Sequence, residues 1–510
     1  MLEAPRSRDP LAQQRVSTGI PGLDEVLKGG LTARRLYLVE GDPGAGKTTL
    51  ALQFLLEGAR HGESGLYVSL SETREELESV AASHGWDIGA LGICELTTTE
   101  DTLRPDAQYT MFHPSEVELS DTTKAVLDEV ERIKPTRVVF DSLSEMRLLA
   151  QNPLRYRRQI LALKQFFIGR NCTVLLLDNR NAADSDRQLR TIAHGVILLE
   201  QHAPEFGASR RRLRVEKMRG ISYREGYHDF VIRTGGLDVF PRLIAAEHHA
   251  DFTTQQIPSG VAALDALLEG GLDRGTSTLL VGPAGSGKSS LATQYIVAAA
   301  QRGQKAVLFT FDESLHTLYS RSEGLGMPLR SLVVEGLVRV KQVDPAELSP
   351  GEFAHLVRRA VEPATGEGAK VVVIDSLNGY LNAMPEERYL TIQLHEMLTF
   401  LGQLGVTTIM VVAQHGLLGT AMQTAVDASY LADSVILLRF FEAEGRVRQA
   451  ISVVKKRSGS HERSIRELKL SSDGVRLGEP LSEFRGILSG IPEFVGMSNR
   501  LLNRENGGGA

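Results

Sequence analysis

The hydrophobic positions of the chain fall into short runs that are rich in Val, Ile and Leu. The first half contains the runs RLYLVE, GLYVSL, RVVFD, TVLLLD and GVILLE. Longer stretches of mixed polarity, such as TREELESVAAS and TTKAVLDEVERI, separate them and have the character of helices. Continuous apolar runs are typical of parallel strands that are buried on both faces. The pattern therefore predicts an α/β fold, in which a mostly parallel sheet is flanked by helices.

The same order of patterns occurs twice along the chain. The segment STGIPGLDEVLKGGLTARRLYLVEGDPGAGKTTLALQFL, which starts at Ser17, aligns without a gap with PSGVAALDALLEGGLDRGTSTLLVGPAGSGKSSLATQYI, which starts at Pro258. Lys47 and Lys288 are 241 residues apart, as are Glu72 and Glu313. An offset that holds across several motifs indicates a duplicated domain. We predict an N-terminal tail over residues 1–15, domains over 16–245 and 246–488, and a flexible C-terminal tail over 489–510.

Composition and charge argue against a nucleic-acid-binding, disulfide-rich or membrane-spanning protein. The formal net charge is −6, so the sequence shows no overall basic field for nucleic acid, and we expect no nucleic-acid partner. The two cysteines are far apart in sequence, which predicts reduced thiols rather than a disulfide or metal site. No apolar run approaches the length of a membrane span, and the N-terminal residues lack the apolar core of a secretory signal. The expected location is the cytoplasm, without a membrane partner.

Each half contains a phosphate-binding loop of the pattern GxxxxGK followed by Ser or Thr. The two loops are GDPGAGKT and GPAGSGKS, and each follows an apolar run and precedes a helical pattern. The glycines allow backbone N–H groups to approach phosphates, and the lysine reaches the β- and γ-phosphates. The predicted ATP-binding residues are Gly41, Gly44, Gly46, Lys47, Thr48 and Thr49 in the first half, and Gly282, Gly285, Gly287, Lys288, Ser289 and Ser290 in the second.

Two aspartates at strand ends complete a predicted magnesium site in each half. Asp141 and Asp375 each end an apolar run and precede a serine. In such nucleotide sites, a strand-end carboxylate and the hydroxyl of the phosphate-binding loop together hold Mg²⁺. We therefore predict Mg²⁺ at Thr48 and Asp141, and at Ser289 and Asp375. A strand-end aspartate that only caps the following turn is the alternative interpretation.

Acidic residues follow the strand after each phosphate-binding loop. They are candidates for the group that deprotonates or orients the attacking oxygen during hydrolysis or phosphoryl transfer. The second half has Asp312 and Glu313 there, whereas the first half has Ser71 and Glu72. We take Glu72, Asp312 and Glu313 as the catalytic candidates. Exposed acids at the start of a helix are the alternative interpretation.

A pair of cations lies near the end of each half. These residues are Lys217 and Arg219, and Lys455 and Arg457. Cations at a strand end can reach the γ-phosphate of a nucleotide that is bound to a neighbouring subunit. A basic hairpin exposed to solvent is the alternative interpretation.

With these motifs in place, the chain resembles the KaiC family, the RecA-like double ATPases of the bacterial circadian clock. The resemblance covers roughly residues 15–490 and is most specific in STGIPGLDEVLKGGL, in VEKMRGISY, and in DASYLADSVILLRF followed by VVKKRSGSHERSIREL. It implies two tandem RecA-like domains, a homohexamer with ATP at the subunit interfaces, a slow ATPase in the first tier and serine/threonine autokinase and autophosphatase activity in the second. It places the phosphoacceptor at Ser429, with Thr424 as a secondary candidate, and implies a role in circadian timing or stress signalling.

The chain departs from the family pattern at several positions. The adjacent glutamate pair of the family is Ser71–Glu72 here in the first half and Asp312–Glu313 in the second. If the first residue of each pair is the base, the first half hydrolyses ATP poorly; if the second is the base, Glu72 compensates. Tyr430 stands where the family has its second phosphoacceptor. The segment MFHPSEVELSD is shorter than the family's partner-docking region, which leaves open a KaiB-like partner or another signalling partner.

Two other classes of function remain as alternatives. RecA-like rings include nucleic-acid motors, but these need basic DNA-binding loops, and RRRLRVEKMR is the one locally basic stretch, which we assign to the subunit interface. Salt-dependent binding of single-stranded DNA with stimulation of the ATPase would favour a motor. The second alternative is a switch or scaffold, in which ATP assembles the ring with little turnover.

Overall fold

The computed structural model describes residues 14–96, 114–150, 152–180, 185–204, 207–344, 346–382, 389–414, 430–488 and 493–495. The chain forms two compact units, Met1–Arg242 and Leu243–Ala510. Leu243 and Ala245, which lie before the predicted boundary, pack in a hydrophobic core of the second unit. None of the helices in the described part of the chain has the length and apolar character that a membrane-spanning segment requires.

The first unit alternates strands and helices along the chain. Its strands are β1 (Arg15–Val16), β2 (Leu31–Thr32), β3 (Leu36–Gly41), β4 (Gly65–Ser69), β5 (Gly92–Glu95), β6 (Arg137–Asp141), β7 (Thr173–Asn179), β8 (Gly195–His202), β9 (Arg210–Met218), β10 (His228–Arg233) and β11 (Gly236–Phe240). Its helices are α1 (Pro21–Val26), α2 (Lys47–Arg60), α3 (Arg74–Ser83), α4 (Pro114–Ile133), α5 (Leu143–Ala150), α6 (Pro153–Ile168) and α7 (Ser185–Ile192).

The second unit repeats this order. Its strands are β12 (Gln256–Ile257), β13 (Leu272–Asp273), β14 (Ser277–Gly282), β15 (Ala306–Thr310), β16 (Val338–Gln342), β17 (Val371–Asp375), β18 (Thr407–Ala413), β19 (Ser434–Ala443), β20 (Arg446–Lys456), β21 (Arg466–Ser471), β22 (Gly474–Pro480), β23 (Phe484–Arg485) and β24 (Glu493–Phe494). A 3-10 turn at Ala245–Glu247 precedes the helices α8 (Ala262–Leu267), α9 (Lys288–Gln301), α10 (Leu315–Gly324), α11 (Leu329–Val334), α12 (Pro350–Val361), α13 (Leu377–Asn382) and α14 (Leu390–Gln403).

In the described residues, each unit contains one large sheet, and the two sheets have the same strand order. The first is β5-β4-β6-β7-β3-β8-β9-β10-β11, and the second is β16-β15-β17-β18-β14-β19-β20-β21-β22. The first six strands of each sheet in this order are parallel, and the last three continue it as an antiparallel meander. The predicted α/β class with mostly parallel sheets is therefore confirmed.

The central strands are buried on both faces, which explains their continuous apolar sequences. In β3, Tyr37 and Val39 pack in one hydrophobic core, while Leu36 and Leu38 pack in another on the opposite face. In β14, Leu280 and Leu279 are divided between two cores in the same way. Since successive side chains of a strand point to opposite faces, a strand between two helix layers is apolar at most of its positions. This arrangement places β3 and β14 in the middle of their sheets, with the phosphate-binding loops at their carboxyl ends.

Candidate functional site

The phosphate-binding loop of each unit joins a central strand to the helix behind it. Gly46 and Gly287 are the last loop residues before α2 and α9, and their φ angles are +97° and +99°. A Cβ atom at Gly46 would lie 2.7 Å from Ile232 Cδ1, and one at Gly287 would lie 2.9 Å from Leu470 Cδ1. Both the left-handed backbone and the close packing therefore require glycine. The remaining predicted loop residues lie on the same strand-to-helix connections.

The loop lysines are buried and point back into their own loops. Lys47 Nζ donates to the carbonyl oxygens of Gly41 (2.8 Å) and Asp42 (3.1 Å), and Lys288 Nζ donates to that of Pro283 (2.7 Å). Burial lowers the pKa of both amines, that of Lys288 to about 8. An anionic ligand beside these amines would favour their charged form and reverse this shift.

In the first unit, the structure brings Thr48, Glu72 and Asp141 together. Asp141 Oδ2 lies 3.5 Å from Thr48 Oγ1 and accepts a hydrogen bond from the Tyr67 hydroxyl at 2.6 Å. Burial raises the pKa of Asp141. Burial, and then the charge of Asp141, raise the pKa of Glu72 to about 7. Tyr67 was not predicted as a site residue, although a comparison of the repeats would have shown it opposite Leu308.

The Glu72 carboxylate in the first unit is available for further interactions. Its Oε2 atom is buried and has no hydrogen-bond partner among the residues that the structure describes. The backbone at Glu72 is fixed, because the Ser69 hydroxyl donates to its carbonyl oxygen at 2.6 Å and accepts from its N–H at 2.9 Å. Ser71, in contrast, is exposed. The first unit therefore presents one carboxylate beside its phosphate-binding loop that could act on an attacking water.

The second unit forms an open cavity of about 470 Å³ around its loop. The predicted residues that line it are Gly285, Gly287, Lys288, Ser289, Ser290, Asp312, Glu313 and Asp375. Burial raises the pKa of Asp375, and a hydrogen bond from Ser289 partly offsets this effect. Asp312 Oδ2 accepts a hydrogen bond from the Ser376 hydroxyl. The cavity thus brings together the loop and three carboxylates, of which one contacts a loop hydroxyl.

Arg321, which was not predicted, also lines this cavity and binds Glu313. Its Nε and Nη2 atoms lie 3.1 Å and 2.8 Å from the two carboxylate oxygens of Glu313. Its Nη1 atom donates to Ser290 Oγ at 3.2 Å. The Arg321 side chain is 22% exposed, as is that of Glu313, so the ion pair lies at the cavity wall. Both carboxylate oxygens of Glu313 are therefore engaged, unlike those of Glu72.

The predicted cation pairs lie at the other edge of the sheets. Lys217 Nζ donates to the carbonyl oxygens of Arg190 and Ala193 (2.9 Å), just before β8, and Lys455 Nζ donates to that of Ala432 (2.7 Å), just before β19. Arg219 and Arg457 bind the carbonyl oxygens of Thr191 and Tyr430 at 2.8 Å and 2.9 Å. These segments precede the parallel strands β8 and β19, whereas the phosphate-binding loops follow the carboxyl ends of β3 and β14. The cations are thus separated from the loop of their own unit by most of a strand, roughly 15 Å.

The locally basic stretch forms strand β9, where carboxylates lie beside its arginines. Arg212 Nη2 lies 3.9 Å from Glu200 and Arg214 Nη2 lies 3.7 Å from Glu216. Both guanidinium groups also lie over the ring of Tyr227, at 4.9 Å and 5.3 Å. The sequence alone did not show this aromatic neighbour. The nearby acids reduce the positive field that a nucleic-acid motor would need. Ser429 and Thr424, the predicted phosphoacceptors, lie outside the described residues.

The sequence comparisons agree with this repeated architecture. A family model described as "ATPase: KaiC" matches residues 16–244 and 257–482. The chain belongs to the KaiC family of ATPases. The circadian clock oscillator protein KaiC of Thermostichus vulcanus is 26% identical over 503 residues, covering 98% of this chain and 95% of the relative. The circadian clock protein KaiC3 of Synechocystis is 26% identical over 492 residues, covering 95% and 96%. The KaiC family match accounts for both nucleotide-site motifs and supports ATPase activity.

Proposed function

We propose that this KaiC-family ATPase works as a homohexamer, binds Mg-ATP at the subunit interfaces in both units, and phosphorylates itself on Ser429 in the second. The observation that carries the ring is the position of the cation pairs. Lys217 and Lys455 cannot reach the loop of their own unit, yet they recur at matching positions in both units. A head-to-tail ring would bring them to the nucleotide of the neighbouring subunit, where they would stabilise charge on the transferred phosphoryl group.

The residues of both units fit Mg²⁺. Thr48 Oγ1 and Asp141 Oδ2 are neighbouring oxygen atoms, which is the donor type that Mg²⁺ prefers, and Ser289 and Asp375 offer the same pair. The described residues contain no cluster of three or more His, Cys, Asp or Glu side chains that could hold a metal ion. Phosphate oxygens and water would therefore complete the coordination. When bound, the ion would neutralise charge on the β- and γ-phosphates.

We assign hydrolysis in the first unit to Glu72. Its carboxylate has a buried oxygen without a hydrogen-bond partner in the described part of the chain and a pKa of about 7, raised mainly by burial, which suits a group that accepts a proton from water near neutral pH. Ser71 then causes little loss, because the second residue of the acidic pair is the one that acts. Replacing Glu72 with Gln in a protein that also carries Lys288→Ala should lower phosphate release at least about 100-fold. Unchanged release would contradict this assignment.

The autokinase proposal is tested by the intact mass of the protein after incubation with Mg-ATP. The wild type should gain one phosphate, which Ser429→Ala should abolish and the neighbouring Thr424→Ala should retain. Loss of the phosphate only in Thr424→Ala would move the acceptor to Thr424. An absence of phosphate on the wild type, in a preparation that still forms ATP-dependent rings, would overturn the autokinase.

The second candidate is an assembly switch with little turnover in the second unit. It is favoured by the engagement of both acids there, Asp312 by Ser376 and Glu313 by Arg321. A role in timing or stress signalling, with a KaiB-like or other protein that recognises the assembled ring, fits either candidate. Normal turnover by Lys288→Ala, together with loss of ATP-dependent assembly, would assign turnover to the first unit and the switch to the second. Ring assembly without any nucleotide would count against the switch.

A further inference from the structure

Arg321 lies at a position where the nucleotide sites of the two units differ. It lies on α10, which aligns residue by residue with α3 of the first unit, and the matching position there is Val80. The acids that precede these helices also match, as Glu313 and Glu72, and so do the hydroxyls of Ser290 and Thr49. The first unit therefore has an equivalent of the carboxylate and of the hydroxyl that bind Arg321, but has no equivalent of the arginine.

The contacts of Arg321 form a bidentate clamp. The planar guanidinium donates to both oxygens of Glu313 at 3.1 Å and 2.8 Å, and a third nitrogen donates to Ser290 Oγ on the first turn of α9 at 3.2 Å. Two parallel N–H···O bonds fix a carboxylate more firmly than a single contact, and a lysine cannot reproduce them. The Thr310 hydroxyl holds the Glu313 backbone in addition, at 3.3 Å. Glu313 is consequently fixed at both its backbone and its side chain.

A carboxylate that assists hydrolysis needs an oxygen that can turn towards the attacking water and reach it at hydrogen-bond distance. Each carboxylate oxygen can accept about two hydrogen bonds. Arg321 takes one acceptor position on each oxygen of Glu313 and holds the carboxylate in one orientation, whereas Oε2 of Glu72 has no hydrogen-bond partner among the residues that the structure describes. The side-chain contact between Asp312 and Ser376 is the other restraint on the acids of the second unit. A site built in this way would retain its nucleotide while water attack is slow.

We propose that Arg321 is a positioning residue that clamps Glu313 and limits ATP hydrolysis in the second unit, so that the two units of one chain turn over ATP at different rates. The inference rests on the proposed assignment of Glu72 as the hydrolytic carboxylate of the first unit. It also extends that assignment: because the first unit has Val80 instead of an arginine at this position, no guanidinium holds Glu72. The regulated quantity is hydrolysis by water, so the proposal applies whether or not Ser429 is phosphorylated.

The first experiment removes the clamp by installing the residue of the first unit. Arg321→Val is compared with unchanged Arg321 in a Lys47→Ala background, where phosphate release comes from the second unit. We expect kcat to rise at least about threefold with little change in KM, because a freed carboxylate can act on water. Arg321→Lys should give a smaller rise. Adding Glu313→Gln to the Arg321→Val protein should abolish the gain, which a general loosening of α10 would not predict.

The second experiment transfers the clamp to the first unit. Val80→Arg in a Lys288→Ala background should lower kcat at least about threefold, and Val80→Lys should lower it less because lysine lacks the bidentate fork. Binding of a fluorescent ATP analogue should be retained in both, which would show that the nucleotide site of the first unit is intact. In combination with Glu72→Gln, Val80→Arg should cause no further loss, because both changes act through the same carboxylate.

Three results would overturn the clamp. A fall in kcat and a rise in KM for Arg321→Val would show that Arg321 binds the nucleotide itself. Unchanged turnover in Arg321→Val, with ATP still bound, would show that the ion pair does not limit hydrolysis. A rise in kcat that persists when Glu313→Gln is added would show that a group other than Glu313 causes the rise. The intact mass of the same samples reports the autokinase separately, so failure of the clamp and failure of Ser429 phosphorylation are distinguished.

Discussion

Tyr67 and Leu308 occupy matching positions in the two units, and only the tyrosine can bind the strand-end aspartate. The Tyr67 hydroxyl is fully buried and donates to Asp141 Oδ2 at 2.6 Å. Because we propose that Asp141 helps to hold Mg²⁺, losing this bond should free the carboxylate to rotate. Tyr67→Phe in a Lys288→Ala background should raise the Mg²⁺ concentration for half-maximal ATPase activity about threefold to tenfold, given the strength of hydrogen bonds to charged groups.

The matched control for this prediction is Tyr37→Phe. Tyr37 is equally buried in the same unit, and its hydroxyl donates to the Thr32 carbonyl oxygen at 2.8 Å, away from the phosphate-binding loop. Both variants lose one buried hydrogen bond, so Tyr37→Phe should lose about 1 kcal/mol of stability and Tyr67→Phe, whose acceptor is a carboxylate, about 2 kcal/mol. Only Tyr67→Phe should change the Mg²⁺ dependence. A similar change in Tyr37→Phe would mean that the effect reflects stability rather than the orientation of Asp141.

His228 makes the stability of the first unit depend on pH. It is 1% exposed, its Nδ1 accepts from the Arg242 N–H at 2.8 Å, and burial lowers its pKa to about 4. In the unfolded chain, His228 takes up a proton as pH falls through about 6.5, whereas in the folded chain it stays neutral until about pH 4. Its contribution to the stability of the folded state is therefore complete above pH 6.5 and is lost as pH falls towards 4. The loss should be on the order of 3 kcal/mol.

The measurement for His228 uses the single tryptophan of the sequence, Trp86, whose fluorescence follows unfolding of the first unit. Urea unfolding at several pH values should give a smaller decrease in stability between pH 6.5 and 4 for His228→Gln than for the wild type. Glutamine can keep one donor and one acceptor but binds no proton in this range. Equal pH dependence in the two proteins would show that another group is responsible.

At the scale of the elements, the sequence predicts a strand well where both faces of that strand are buried, because burial then requires a run of apolar residues. Strands such as β3 and β6 could be predicted because each contains a continuous apolar run, and the phosphate-binding loops because glycine is required at Gly46 and Gly287. The contacts of Tyr67 and Arg321 could not be predicted. They depend on how a strand and a helix approach the site through space, and no local pattern encodes that approach. A comparison of the two repeats would have singled out both positions as differences.

Helix α3 begins with a capping box that also fixes the residue following Glu72. Thr73 Oγ1 accepts from the Glu76 N–H at 3.3 Å, and Glu76 Oε2 accepts from the Thr73 N–H at 2.8 Å. Thr73→Ala should destabilise the first unit by about 1 kcal/mol in Trp86-monitored unfolding, and should also lower first-unit turnover slightly, because the residue next to Glu72 is less firmly held while the Ser69 contacts remain. Ser314→Ala removes the equivalent cap of α10 and should leave the Trp86 transition unchanged. A shifted transition in that control would indicate that unfolding of the two units is coupled.

At the scale of the whole molecule, the duplicated architecture sets each nucleotide loop and its cation pair at opposite edges of one sheet. A head-to-tail contact between identical subunits joins unlike edges and closes into a ring when the rotation permits. Each interface would then take its loop from one subunit and its cations from the next. A single subunit would carry two half-sites in each unit and would hydrolyse ATP poorly by itself.

This arrangement predicts that two inactive proteins restore each other. In a Lys288→Ala background, Glu72→Gln lacks the proposed hydrolytic carboxylate beside its loop, and Lys217→Ala lacks a functional cation. In rings mixed from equal amounts, an interface that takes its loop from the second protein and its cation from the first is intact. If each of the two subunits at an interface is equally likely to be either protein, about a quarter of the interfaces are of this intact kind. Phosphate release should therefore recover to about a quarter of the rate of the Lys288→Ala protein. If Lys217 acted within its own subunit, mixing would restore no phosphate release, even when the two proteins exchange subunits. Phosphate release no higher than that of the separate proteins would therefore rule out action of Lys217 on the neighbouring subunit.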